Sequence, residues 1–309
     1  MPSAVSLLTV PELPEVEVVR RGLEPVVVGA RIDHVEVLEP RSLKRHHGPP
    51  LDFVQRLEGQ VIESALRRGK FLWLPLEGRD EALVVHLGMS GQVLLGAPGD
   101  DFGTLLRIRF DITTAVGESL VVGFVDQRIF GSMAIDELVP TADGRPAAAG
   151  SNDTRIPRSV AHIARDPLDP LFDDRAFSAA LRRKNTDIKR ALLDQGLISG
   201  IGNIYADEAL WGAKLHYLTP TSRLSPARVR TLLAEIRAVL SKALTEGGTS
   251  FDSQYVNVNG QSGYFSHSLH AYGRQGTQCD RCGRIIVREP FMNRSSHRCP
   301  SCQRAPRRR

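Results

Sequence analysis

Four cysteines spaced as Cys279-x2-Cys282-x16-Cys299-x2-Cys302 constrain this chain more than any other feature of its sequence. Two CxxC knuckles at this separation supply the four thiolates that a tetrahedral zinc ion takes. Four protein ligands leave no position for a reacting water, so one structural Zn2+ is expected and no metal-based hydrolysis. The segment that holds them, residues 264–309, is too short to bury a core of its own, and a metal replaces that core. Disulfides are the alternative, and they need an oxidising compartment. The N-terminal MPSAVSLLTVPEL has neither a basic leader nor a sustained apolar run, and no stretch reaches the roughly 18 consecutive apolar residues of a membrane-spanning helix. The expected setting is cytoplasmic, with no membrane partner.

The cysteines share their segment with the excess positive charge. Residues 264–309 hold 10 arginines against Asp280 and Glu289, whereas residues 1–263 hold 30 Lys and Arg against 33 Asp and Glu, so the net +5 divides into +8 and −3. A basic, metal-held module points to an anionic partner, foremost nucleic acid, ahead of a membrane surface or an acidic protein.

The rest of the chain reads as two further units. A helix is expected over 13–24, with Pro14 suited to the first turn and Val16, Val19 and Leu23 at helical spacing. From about 30 to 137, short β-rich runs such as KFLWLPL, ALVVHLGM, LLRIRF and SLVVGFV alternate with Gly, Pro and Asp signals, the pattern of an antiparallel sandwich or barrel. Residues 139–153, VPTADGRPAAAGSND, are small and turn-rich, as in an exposed linker. Helices are expected over 174–195, 204–213 and 225–246, the last ended by Gly247-Gly248, and a polar loop over 251–265. The result is an α+β multidomain chain. Its expected parts are an N-terminal β-sandwich with a flanking helix at 11–140, a linker at 141–153, a helical domain with its loop at 154–263, and the four-cysteine hairpin and basic tail at 264–309.

Two local motifs carry chemistry only in context. Gly200-Ile201-Gly202-Asn203 joins two helical stretches; its glycines allow a tight turn, and Asn203 is suited to cap a helix starting at Ile204. The free N–H groups of such a helix start suit a phosphate, while a plain capped turn accounts for the same residues. PELPEVE, residues 11–17, puts Glu12, Glu15 and Glu17 at the start of the first helix, where negative charge complements the helix dipole. Composition takes neither further.

In order along the chain, PELPEVE, the RRGKFL run around Lys70, HLGMSG at 86–91, DQRIFG at 126–131, LLDQGLISGIGNIYADEAL at 192–210, GGTS, GYF and the cysteine ribbon resemble the bacterial formamidopyrimidine-DNA glycosylases, over nearly all of Pro11 to Gln303. The resemblance implies a β-sandwich, a helix-two-turn-helix domain and a zinc finger, with damaged double-stranded DNA bound between the domains by a monomer. It implies a bifunctional glycosylase and AP lyase of base excision repair. Its nucleophile is the secondary amine of an N-terminal proline, here Pro11, which attacks C1′, expels the base and forms an iminium that drives β- and then δ-elimination. An α-amino group, with a reference pKa of about 7.7–8.0, is substantially neutral near physiological pH, whereas a lysine needs a large downward shift.

By the same resemblance Glu12 is the acid/base for sugar-ring opening and later proton transfers, and Lys70, on a strand, assists base release and β-elimination. Arg294 contacts phosphate beside the lesion and serves δ-elimination. Met89, Arg128 and Phe130 match an intercalating set: Phe130 wedges the stack, Met89 fills the void and Arg128 pairs with the orphaned cytosine. Lys189 and Asn203, with Arg294, grip the phosphate backbone. PELPE in place of PEGPE, the Met89/Arg128/Phe130 set and the loop 251–262 resemble the branch that removes 8-oxoguanine and formamidopyrimidines. The alternative is the endonuclease VIII-like branch that acts on oxidised pyrimidines. Taken singly, each residue has a plainer reading: Glu12 as a helix cap, Lys70 and Arg294 as solvated cations, Met89 and Phe130 as core.

The sequence also departs from the family pattern. Ile129 stands where a second basic residue is common, and DDFGTLL at 100–106 lacks a histidine that many relatives place there. Ten residues precede Pro11, and as written they make its nitrogen a tertiary amide without nucleophilicity. A translation start at Val10, read as formyl-methionine and then removed, gives Pro11 its free amine. With residues 1–10 retained, the same scaffold is a non-catalytic DNA-binding zinc protein.

Overall fold

The first helix, α1 (Leu13–Val27), has Glu12 as its N-cap and Pro14 in its first turn, where a missing N–H breaks no intrahelical bond. Val16, Val19, Leu23 and Val27 form one buried stripe, the spacing of a helix that lies on a core. The helix runs past the expected end at 24, through Gly22 and Pro25. Gly22 has a packing reason: a Cβ there would overlap Val258, which is itself buried in the sandwich core.

The structure, a computed structural model, describes residues 11–249, 258 and 265–306. The expected extension at 1–10 and most of the loop at 251–262, which by the resemblance covers the flipped base, lie outside the described residues. After α1 come β1 (Arg31–Val37), α2 (Pro50–Leu57), β2 (Leu66–Arg68), β3 (Phe71–Pro75), β4 (Glu81–His86), β5 (Gly91–Gly96), β6 (Leu106–Thr113), β7 (Ser119–Asp126), β8 (Ser132–Pro140) and β9 (Arg155–Pro157). They form two antiparallel sheets, ordered β1-β6-β7-β5 and β2-β3-β4-β8-β9. Leu72, Leu83 and Val85 of one sheet pack with Phe110, Ile112 and Phe124 of the other, and Phe53 of α2 and the α1 stripe join them. This is the sandwich that the alternating runs predict.

Residues 141–153 are exposed over 142–145 and 149–150, as their composition implies, but are anchored at Ala147 and Ala148. The chain beyond them returns as β9, which pairs with β8 through Leu138, Val139 and Pro140. Ala147 and Ala148 are buried in a cluster with Leu66, Trp73, Ala82 and Ile156, and Arg68 Nε donates to the Ala147 carbonyl at 2.9 Å. The sandwich therefore reaches residue 157, and two of the small side chains, Ala147 and Ala148, are buried in the cluster that holds Trp73.

The helical unit contains α3 (Asp174–Arg183), α4 (Ile188–Leu192), α5 (Asn203–Gly212) and α6 (Pro226–Thr245). The single helix expected over 174–195 is broken after Arg183, and the Ile188 N–H bonds instead to the Thr219 carbonyl at 2.9 Å. Asp173 caps α3 and Ser225 caps α6. Leu181, Leu192, Tyr205, Leu232 and Ile236 make the core, and Leu13, the first residue of α1, is buried among them. One turn of α1 thus enters the helical core while the next turns lie on the sandwich.

The last unit is a hairpin of β10 (Val287–Phe291) and β11 (Arg294–Arg298). Its own buried cluster is only Ile286, Cys279 and Cys299, with Trp211 and Cys302 packed against it. Phe291 is buried in the helical core, and Gln303 Nε2 donates to the Leu215 carbonyl at 2.8 Å. No described helix is long and apolar enough to cross a membrane.

Candidate active site

The start of α1 and the Gly200–Asn203 turn meet directly: the Leu13 N–H donates to the Gly200 carbonyl at 2.9 Å. Glu12, 2% exposed, sends its carboxylate across the gap. It accepts from the backbone N–H groups of Gly202, Ile204 at 2.9 Å and Tyr205 at 3.4 Å. The acceptor at the N-terminus of α5 is therefore Glu12, from another domain, and not Asn203. Asn203 is the first residue of α5 and caps nothing; its Oδ1 is buried without a partner among the described residues. The N–H groups expected to be open to phosphate are occupied by a carboxylate. Gly202 follows from the same approach, while Gly200, at φ +86, joins the expected tight turn to a close contact. A Cβ on Gly202 would lie 2.5 Å from Glu12 Oε1, and one on Gly200 2.7 Å from Leu13 Cβ.

Burial raises the Glu12 carboxyl to about 7, with the Lys70 charge and the N–H donors opposing the shift and Glu15 adding to it. A carboxyl poised near neutral pH can both give and take a proton. Glu15 accepts the Glu12 N–H at 2.9 Å, the Tyr205 hydroxyl at 2.7 Å, and the Thr249 N–H and hydroxyl at 2.8 Å each. Glu17 binds Arg20, Arg21 and Arg67, and Arg67 reaches on to Asp166 at 3.0 Å. Burial pushes the Glu17 carboxyl up, but hydrogen bonds from Arg20 and the charges of Arg67 and Arg20 prevail and hold it at about 2. Each carboxylate of PELPEVE thus has its own partner set beyond the helix dipole.

Lys70 is placed at a hairpin tip and not in a strand. Arg68 pairs with Phe71, so Gly69 and Lys70 are the two central residues of the β2–β3 turn. Gly69 has φ +58 and Lys70 does not share the positive φ, the glycine-first pattern of a type II′ turn. A Cβ on Gly69 would also lie 2.8 Å from Ser199 Cβ, so bare glycine lets the hairpin reach the α5 turn. Lys70, Arg190, Gln195, Ile201, Met292 and Arg294 line one cleft of about 320 Å³, to which all three units contribute. Burial lowers the Lys70 pKa; Glu12 opposes this and Arg294 adds to it. Arg294 is exposed and follows the β10–β11 turn, where Met292 has φ +53.

Lys189 requires a correction. Its ammonium is fully buried and committed: Nζ pairs with Asp207 at 2.6 Å and donates to the Ser295 carbonyl at 3.0 Å and Ser296 Oγ at 2.9 Å. Asp207 also accepts the His297 N–H at 2.8 Å. Lys189 fastens the hairpin to the helical unit and presents no charge to a backbone phosphate.

Met89, Arg128 and Phe130 do come together, on two adjacent loops of the sandwich. Met89 is half-buried between β4 and β5; Arg128 and Phe130 are exposed between β7 and β8. Asp126 ties the loops by accepting from Ser90 Oγ and from the backbone N–H groups of Arg128 and Gly131. Asp126, Arg67 and Asp207 have no role in the sequence reading although all three lie inside the quoted motifs, and Glu15 enters it only as part of an acidic first turn.

The description "Formamidopyrimidine-DNA glycosylase N-terminal domain" matches residues 10–133, and "Formamidopyrimidine-DNA glycosylase H2TH domain" matches residues 163–254. A formamidopyrimidine-DNA glycosylase of Leifsonia xyli subsp. xyli is 63% identical over 295 residues, 95% of this chain and 99% of that protein. The chain belongs to the formamidopyrimidine-DNA glycosylase family. The Lactococcus lactis Fpg in complex with abasic-site DNA superimposes with a TM-score of 0.78 at 30% identity, over 95% of this chain and 100% of that one. A MutM complex with DNA containing carbocyclic 8-oxo-G gives 0.78 at 30% identity, over 96% and 100%. In this member of the formamidopyrimidine-DNA glycosylase family, the four cysteine Sγ atoms lie within 4.8 Å of one another. That fits a single metal ion, since metal–sulfur bonds of about 2.3 Å in a tetrahedron separate the sulfurs by about 3.8 Å. Trp211 Nε1 donates to Cys279 Sγ and the Cys302 N–H to Cys299 Sγ, each at 3.4 Å, which suits thiolate ligands.

Proposed function

We propose that this DNA glycosylase of base excision repair removes oxidised purines, 8-oxoguanine and formamidopyrimidines, from damaged duplex DNA through a Schiff base at Pro11, followed by β,δ-elimination. The observation that carries this reading is the buried Glu12, directly after Pro11, poised at about 7 and coupled through its charge to Lys70, which lines a cleft shared by all three units. The free secondary amine of Pro11 attacks C1′ and the base departs. Glu12 donates the proton that opens the sugar ring and receives protons in the eliminations. Lys70, its charged form disfavoured by burial, assists base release and β-elimination. Arg294 meets the phosphate that leaves, and Asn203, beside Tyr272, approaches the strand from α5. Phe130, 44% exposed, enters the stack with Arg128 and Met89 filling the place of the flipped nucleotide. Cys279, Cys282, Cys299 and Cys302 hold one Zn2+, which fixes the hairpin that carries Arg294.

The attack requires Pro11 to be the first residue, and the N-terminal family match beginning at Val10 supports that start. Borohydride trapping on an 8-oxoguanine duplex, with the N-terminus checked by intact mass, tests the reading. Protein beginning at Pro11 forms a covalent DNA adduct, and protein retaining residues 1–10 does not. Lesion binding without any adduct from protein beginning at Pro11 overturns the reading in favour of a non-catalytic DNA-binding zinc protein. Trapping confined to oxidised-pyrimidine duplexes turns it to the endonuclease VIII-like specificity.

A further inference from the structure

The loop between β7 and β8 carries Phe130 on a backbone that its own sequence does not favour. Ile129 sits at φ +57, a left-handed conformation that a β-branched residue avoids. Contacts from outside residues 127–130 keep it there. Asp126, fully buried, accepts from the Arg128 N–H at 3.1 Å and the Gly131 N–H at 2.7 Å, one on each carboxylate oxygen, and from Ser90 Oγ. Lys44, itself exposed, donates from Nζ to the carbonyls of Ile129 at 2.8 Å and Phe130 at 3.0 Å. Four backbone groups spanning the loop are thereby fixed from two sides. The neighbouring loop is set by the same carboxylate through Ser90. Gly88 lets the two backbones touch: its Cβ, if present, would lie 2.5 Å from the Phe130 carbonyl oxygen and the Gly131 nitrogen.

We propose that Asp126 and Lys44 are positioning residues for nucleotide flipping, holding the left-handed turn at Ile129 so that Phe130 and Met89 are presented to the base stack in one fixed relation. This rests on the wedge reading given above. Neither residue touches the reacting atoms. An unfavourable backbone conformation persists only where its surroundings over-determine it, and here the surroundings are these two side chains. A wedge already set in shape loses less freedom on entering DNA.

Asp126→Asn keeps the size of the side chain but replaces one acceptor oxygen with a donor that faces an N–H. Lys44→Met keeps the length of an exposed side chain and removes both donations. Two substrates separate positioning from folding: 8-oxoguanine in a fully paired duplex, where a stack must be opened, and an abasic site in single-stranded DNA, where none exists. Phe130→Ala is the reference. Asp126→Asn is expected to slow single-turnover excision on the duplex about tenfold, from one lost buried hydrogen bond expressed at the flipping step, and Lys44→Met about threefold to tenfold, from two lost solvent-exposed donations. Borohydride trapping on the single strand should stay at the wild-type rate. Adding Ile129→Gly to Asp126→Asn should restore part of the duplex rate, because glycine adopts positive φ without strain. Wild-type duplex rates in both variants, with Phe130→Ala slow, overturn the positioning role and leave the wedge reading standing. A wild-type duplex rate in Phe130→Ala removes the wedge reading and this proposal with it. Equal losses on both substrates assign the two residues to the fold alone and overturn the proposal.

Discussion

Replacing Gly202 by alanine isolates the contact between Glu12 and α5. The backbone at Gly202, with φ −123 and ψ −152, suits alanine as well as glycine. Taken alone, the substitution should stabilise the protein by about 0.4–1 kcal/mol, through a less free unfolded chain. The added methyl carbon would however lie 2.5 Å from Glu12 Oε1 and 2.8 Å from its Cγ, so reaching an ordinary contact of about 3.5 Å demands a shift of about 1 Å. Glu12 has little room to give: its backbone N–H is held by Glu15, and the next N–H by Gly200. Either the carboxylate leaves its N–H donors or the first turn of α5 moves off α1. A hydrogen bond to a charged group contributes about 1.5–3 kcal/mol, so losing one or two gives a net destabilisation of about 0.5–5.5 kcal/mol. An acid displaced by about 1 Å from its reacting centre loses roughly a hundredfold in rate.

The assay is single-turnover excision on an 8-oxoguanine duplex near pH 7, with thermal unfolding measured alongside. Gly196→Ala is the control: it lies in the same connection, but its Cβ would sit 3.4 Å from Asp194 Oδ1, an ordinary contact, so the rate should not change. In a Glu12→Gln background, Gly202→Ala should add almost nothing to the loss of rate, because both act on one group. A wild-type rate in Gly202→Ala, or losses that simply add in the double variant, refutes the argument that the seat on α5 positions Glu12.

Three further outcomes follow from the same contacts. Glu12 keeps its proton up to about pH 7, so ring opening weakens as pH rises through 7, while the Pro11 amine gains nucleophilicity toward about pH 8; trapping rates should form a narrow bell, and Glu12→Gln should leave only the rising limb. Because this pKa is raised above the unfolded value of 4.5, its contribution to stability is full below about pH 4.5 and is lost as pH rises toward 7. Arg67→Met takes a buried guanidinium from Asp166, bonded at 3.0 Å, and from Glu17, bonded at 2.8 Å but still held by Arg20 and Arg21; the loss falls mainly on Asp166 and should cost about 3 kcal/mol in urea unfolding, and a loss below about 1 kcal/mol counts against a buried network. Glu17, held at about 2, gives stability that is full above pH 4.5 and is lost as pH falls toward 2. Stripping the metal with a chelator should change the fluorescence of Trp211, which bonds Cys279 and stacks on Arg281 at 4.1 Å and His270 at 4.4 Å. Trp73, fully buried in the sandwich, should stay silent. Unchanged fluorescence and unchanged DNA binding after metal removal would remove the structural-metal reading.

What sequence could and could not give divides by the range of the interaction. Local spacing was enough for the cysteine cluster and for α6, found at Pro226–Thr245 against an expected 225–246. It misplaced Asn203, because a capping rule looks beside a helix, and the acceptor that reaches α5 is Glu12, more than 190 positions away in the chain. It misplaced Lys189 for a related reason: nothing next to a lysine in sequence says that Asp207 will bury with it. The place of Lys70 is legible locally, since a glycine first in a two-residue break between β runs is a hairpin signal in its own right. Ala147 and Ala148 read as part of a spacer because composition cannot tell a side chain that is small for flexibility from one that is small to fit a buried cluster with Trp73. Glycine carries the clue that survives. At Gly69 and Gly88 a positive φ and a close neighbour coincide, so turn and contact cannot be told apart. Gly202 separates them: its backbone is ordinary, yet a methyl group there would meet the Glu12 carboxylate. In this chain a glycine inside a motif marks where another segment arrives, and the segments that arrive at Gly69, Gly200 and Gly202 bring Lys70 and Glu12 to one place.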